Sequence, residues 1–219
     1  NLALALDALQ RPREAEPLLR RALVVREKIF GLDHLQLLPP LLGLAQACAE
    51  LGKTDEAEAF YQRGAHVAQV QWGADDLRTI QRIALLATFH YEQGDYAKAE
   101  ERFDEAVAGC ERRVAAAPGE EAEEVHLANR LLSLGEVQRA AGEAAKSKAT
   151  WERSLGILEP LAGISRERDT LAAYATVLLC LERIEEARPW VEKALAEKWA
   201  QPDFLELARK HGLMPAAEK

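Results

Sequence analysis

Three cysteines, five histidines and one run of carboxylates are the residues whose chemistry could go beyond packing. Cys48, Cys110 and Cys180 are far apart and odd in number, a poor disulfide framework that fits a reducing compartment. Of His34, His66, His90, His126 and His211, no two fall at metal-ligand spacing on one helix face. His90 lies 42 residues after Cys48, and Leu6 the same step before it, so the three form one column of inter-helix packing positions. A Cys48–His90 nucleophile would need these two to meet across stacked helices, and no third group or oxyanion donor accompanies them. The carboxylates Glu120, Glu121, Glu123 and Glu124 suggest a cation site only superficially. A hard cation needs oxygens converging from a tight loop, whereas acids in a helix's first turn complement its dipole. The expectation is no catalytic residue, no cofactor and no metal site.

The elements that must carry these residues follow from composition and periodicity. At 219 residues and 48% hydrophobic the chain can bury a sizeable core. Its net charge of −8 comes from 36 acidic and 28 basic residues interspersed along every predicted helix, a solvated helical surface rather than the basic face that nucleic acid requires. No run approaches the ~20 apolar residues of a membrane span, and no basic-then-apolar leader opens the chain. The expectation is a cytoplasmic protein without a membrane partner. Because "NLALALDAL" reads as the inside of a helix with no cap before it, the chain is also expected to be a piece of something longer.

The stretch "HYEQGDYAKAEERF" places Gly94 amid helix formers, where a helix interior would lose about 1 kcal/mol relative to alanine. Forty-two residues earlier "CAELGKTDEAEAFY" repeats the pattern around Gly52, and a further step reaches Gln10. Three columns hold this phase: Leu2, Leu44 and Leu86; Ala3, Ala45 and Ala87; Ala15, Ala57 and Ala99. A fourth copy follows with Leu134, Gly135, Gly142 and Trp151, and a fifth with Ala175, Ala187 and Ala194, where Glu182 replaces the turn glycine. Such a period marks a repeat array, each copy being two antiparallel helices hinged at a left-handed residue. Asp95 is placed to cap the helix after Gly94. Trp72 and Trp151 occupy repeat positions and are expected in the core, while Trp190 and Trp199 are ambiguous.

This pattern of leucine and small residue, turn glycine, then alanine, aromatic and alanine resembles the tetratricopeptide repeat. The third copy matches best, through Leu86, Ala87, Gly94, Tyr96, Ala99, Phe103 and Ala106. The long period and "REKIFGLDH" resemble the repeats of kinesin light chains and their bacterial relatives. The resemblance implies an all-α, right-handed α-solenoid of about five antiparallel helix pairs plus a C-terminal capping helix. The array would span 1–201, with copies near 1–30, 34–72, 76–117, 121–161 and 167–199, the cap at 202–213 and a tail at 214–219. Three departures are expected to show locally. Pro39 and Pro40 should delay or bend the first helix of copy two, "GEEAEEVH" should lengthen that of copy four, and "QPDFLELARKHGL" should form the cap.

The resemblance also implies that first helices line an inner groove, facing away from the leucine and small columns. The groove positions are then Leu42, Gln46, Ala49 and Glu50; Ala84, Thr88, Tyr91 and Glu92; Asn129, Leu132, Ser133, Glu136 and Arg139; and Thr176 and Leu179. With Arg139 as the one clear cation among them, a chaperone carboxylate clamp is not expected, and the basic and asparagine side chains of kinesin-light-chain grooves are not evident, although Asn1 matches the family's asparagine. The expected function is a non-enzymatic, monomeric scaffold binding a protein or peptide segment in its groove. The alternatives are a self-associating structural module, or the regulatory repeat region of a larger signalling protein, catalytic or not.

Overall fold

The computed structural model describes residues 11–165, 167–197 and 202–214. Asn1, Leu2, Ala3, Leu6, Gln10 and Trp199 lie outside the described residues, so the columns that begin in copy one are followed from copy two onward. Among the described residues there is no strand, and ten α-helices carry the fold. Compactness divides the chain into two units, 1–109 and 110–219.

The first unit holds α1 (Pro12–Phe30), a 3₁₀ turn (Leu35–Leu37), α2 (Leu38–Glu50), α3 (Thr54–Trp72), α4 (Leu77–Glu92) and most of α5 (Tyr96–Ala116). Pro39 and Pro40 act as expected. They sit in the opening turn of α2, where no intrahelical donor is needed, and the 3₁₀ turn occupies the positions at which α4 is already helical one repeat later. The hinges are six-to-one closures: Lys53 N donates to Cys48 O at 2.8 Å and Asp95 N to His90 O at 2.9 Å, around Gly52 and Gly94 with φ of 73° and 76°. Asp95 then accepts from Lys98 N at 3.2 Å, capping α5. Leu19, Leu23, Leu37, Leu41, Leu44 and Val67 form one core cluster; Cys48, Ala57, Leu86 and Phe89 form the next.

The second unit holds α6 (Glu121–Ala140), α7 (Ala144–Ala162), α8 (Arg168–Cys180), α9 (Ile184–Ala196) and α10 (Pro202–Lys210). α6 is seven residues longer than α8, 20 against 13, because the acidic approach is helical. The small column has its tightest point here. A Cβ on Gly135 would lie 2.2 Å from Trp151 Nε1, so only glycine lets α6 and α7 close, and the indole donates to Leu132 O at 3.2 Å. The last hinge has no glycine, yet Glu182 takes φ 59° and Arg183 N still closes to Leu178 O at 2.9 Å. α10 sets buried Phe204 and Ala208 into the cluster built on α8 and α9, the covering expected of the final helix.

Candidate functional site

The thiols are placed for packing. All three are buried; burial pushes the Cys110 thiol up to about 11 and the Cys180 thiol up to about 12, and raises that of Cys48 too, so none is a ready thiolate. His90 is buried as well, 3.9 Å from Glu58 Oε1, and burial holds its imidazole below the ordinary range. Among the described residues one group gathers three ligand atoms within 4.8 Å, those of Glu16, Cys48 and Glu56. Its acids already have cations: Glu16 accepts from Lys53 at 2.7 Å and from Arg20 at 2.9 Å, and Arg20 also bonds Glu56. Two acids of the run that opens α6 are likewise engaged. Glu121 accepts from Ser165 and, at 2.6 Å, from Thr170, while Glu123 holds Arg113 Nε at 2.7 Å, and both carboxyls lie below their ordinary range through those bonds.

The expected groove residues separate into three groups. Gln46, Glu50, Thr88, Tyr91, Glu92 and Glu136 are exposed, and Leu42, Ala49, Asn129, Ser133 and Thr176 are half-buried, so these can meet a ligand. Leu179, at 0% exposure, is core, and Ala84 and Leu132 are buried too. These three are corrections. Helical spacing locates a face, but α7, α9 and α10 crowd α8 so closely that Leu179 has no surface left, while Thr176 keeps some. Arg139 is exposed but committed, its guanidinium 5.3 Å from the Trp151 ring centroid. Trp72 packs against the core cluster of the first unit as expected but is only half-buried, with the Arg78 guanidinium 4.1 Å from its ring centroid.

Arg82 and Leu85, with Leu38, Phe60, Tyr61 and Gly64, all absent from the expected groove, complete the site in the first unit. A shallow apolar cleft, open to solvent, lies between Leu38 and Leu42 of α2, Phe60, Tyr61 and Gly64 of α3, and Arg82 and Leu85 of α4. Leu85 is 36% exposed, and the Arg82 Nε is buried without a hydrogen-bond partner. Leu85, Thr88 and Glu92 follow one another at helical spacing, so the cleft continues into the exposed face of α4. Repeat columns hide Arg82 and Leu85, since one step back their counterparts are Pro40 and Gly43. The signal that could have found Leu85 is an apolar residue on the polar face of an otherwise regular amphipathic helix.

Models of the tetratricopeptide repeat match residues 1–69 and 79–114. A Clustered mitochondria protein homolog from Kluyveromyces lactis is 31% identical over 90 residues, which is 41% of this chain, and the match spans 7% of that relative's length. A Podosopora anserina protein assigned as a kinesin light chain with nearly identical TPR-like repeats superposes with a TM-score of 0.59 at 18% identity, covering 89% of this chain and 90% of that one. BtubC (BKLC) from P. vanneervenii does so with a TM-score of 0.61 at 19% identity, covering 100% of this chain and 82% of that one. No described helix is long and apolar enough to cross a membrane. With its hinged helix pairs, small-residue column and covered last repeat, the chain carries tetratricopeptide repeats over residues 1–69 and 79–114 and resembles in fold the repeat domains of kinesin light chain-like proteins.

Proposed function

We propose that the chain is a non-enzymatic interaction module that holds a segment of a partner protein against the first unit's α2 and α4, with the cleft between Leu42 and Leu85 as its anchor point. Tetratricopeptide repeats generally serve as protein-interaction scaffolds, and this reading gives that role a location. One observation carries it: Arg82 sits at an apolar cleft with its Nε out of water and unbonded. A buried donor without an acceptor costs roughly 1–3 kcal/mol, and a ligand carboxylate would recover it by drawing the Arg82 guanidinium outward. The partner segment therefore brings an apolar side chain for the cleft and an acid beside it, while Gln46, Thr88 and Tyr91 supply polar and aromatic contacts around the anchor. Asn129, Ser133, Glu136 and Thr176 offer the corresponding positions of the second unit.

A displayed peptide library panned against the chain tests this, with the Leu42→Glu/Leu85→Glu double variant as counter-selection. Enriched peptides should share an apolar residue next to Asp or Glu, and Arg82→Glu should weaken them at least tenfold while melting normally. Equal enrichment on wild type and double variant would refute the cleft as the binding site.

A further inference from the structure

The groove over α2 and α4 carries opposite charge at its two ends. Its cleft takes Leu38 and Leu42 from α2 and Arg82 and Leu85 from α4, and both helices run on from there to end in glutamate, Glu50 and Glu92. The two glutamates hold the same repeat position, 42 residues apart. Both are exposed, and neither holds a hydrogen bond or an ion pair among the described residues. Between them and the cleft stand Gln46 on α2 and Thr88 on α4, exposed and uncharged.

Folding does not call for an acid at either place. The last residue of a helix lies at the negative end of its macrodipole, where a cation is favoured and a carboxylate is opposed. No basic residue in the last turn of α2 offsets Glu50, and in α4 the one candidate, His90, is buried and held below its ordinary range by that burial. The first helices of the next two copies, α6 and α8, end in Ala140 and Cys180 instead. The repeat carries α2 and α4 in the same direction, so two helix ends and two carboxylates together make this end of the groove negative. Next to Glu92, the 38%-exposed Tyr91 rests on Tyr96 with ring centroids 5.8 Å apart, an aromatic face of the kind on which a guanidinium stacks.

From Arg82 to Glu92 the helix rises about 15 Å. An extended chain covers that distance in about four or five residues. We infer, taking the cleft as the anchor proposed above, that the partner segment is dipolar and lies along α4 in one direction only. It sets an acid at Arg82, the adjoining apolar residue in the cleft, and an arginine about four residues beyond the acid against Glu92, Glu50 and the Tyr91 ring.

The probes are three synthetic peptides that share an Asp-Leu pair. One has arginine four residues after the aspartate, one has glutamate there, and one has the same arginine moved to four residues before the aspartate. The first should bind the chain at least tenfold more tightly than either of the others. Glu50→Lys/Glu92→Lys should make the glutamate peptide the tightest of the three, with melting unchanged or raised. Equal binding of the three, abolished by Leu42→Glu/Leu85→Glu, would leave the cleft as the anchor and overturn the arginine position. Binding of none would remove the cleft and the arginine position together. A double lysine variant that melts lower than wild type also overturns the inference, because the two acids would then serve the fold.

Discussion

His90 illustrates how a residue that could do chemistry is turned to packing. Its column holds Cys48 one repeat earlier, and both side chains are buried between helices. Glu58 and Asp95 favour the imidazolium, Lys98 and Arg102 oppose it, and burial outweighs the acids, so the native pKa lies below the ordinary 6.5. The unfolded chain therefore takes up this proton first as the pH falls. The stability contributed by neutral His90 is complete above about pH 6.5 and is lost as the pH drops through the lower native value. Wild type should lose melting temperature between pH 7.5 and 5, and His90→Leu, which suits an apolar column, should lose less. His126, also lowered by burial, leaves the variant some residual slope. Parallel pH profiles for the two proteins would show that His90 is not the group responsible.

At the scale of elements, the hinge at Glu182 and the last helix mark what periodicity can and cannot convey. The turn after α8 keeps the left-handed residue and the closing bond of its glycine counterparts, so the repeat geometry outweighs the 1–2 kcal/mol that a side chain costs there. Helices, hinges and the late start of α2 were legible in the sequence because each follows from local chemistry: a glycine, a proline, an apolar spacing. Burial on the inner faces was not, because it depends on which helix lies opposite. Leu179 stands at a groove position by spacing and is core by packing; Leu85 and Arg82 belong to the cleft although their column predecessors are Gly43 and Pro40. A column averages over copies, and a site is made from the differences between them. The cap shows the same dependence from the other side. Phe204 is 6% exposed against the cluster of α8 and α9, so Phe204→Ala should cost about 3–5 kcal/mol in chemical denaturation, and a change below about 1 kcal/mol would mean that α10 does not cover that end.

For the whole molecule, the decisive property is that contacts are short in sequence. The main helix contacts join neighbouring elements, α6 with α7 and α2 with α3 above all, and each of the two units has clusters of its own: Leu19, Leu41 and Val67 in one, Trp151, Leu171 and Val177 in the other. Stability in such a chain is a sum of local terms rather than the property of one shared core, so damage should stay local. Gly135 is the place to apply it, because a single methyl there would have to displace the Trp151 ring, which also donates to Leu132 O and carries Arg139 on its face. Gly135→Ala should destabilise by about 1–3 kcal/mol, the usual range for overpacking. In native-state hydrogen exchange the loss of protection should fall on α6, α7 and α8, while the amides of α1, α2 and α3 keep theirs. A uniform loss along the whole chain would mean that the repeats unfold as one cooperative body. The cleft, in the first unit, would then share the fate of any lesion in the second, and binding there could no longer be separated from global stability.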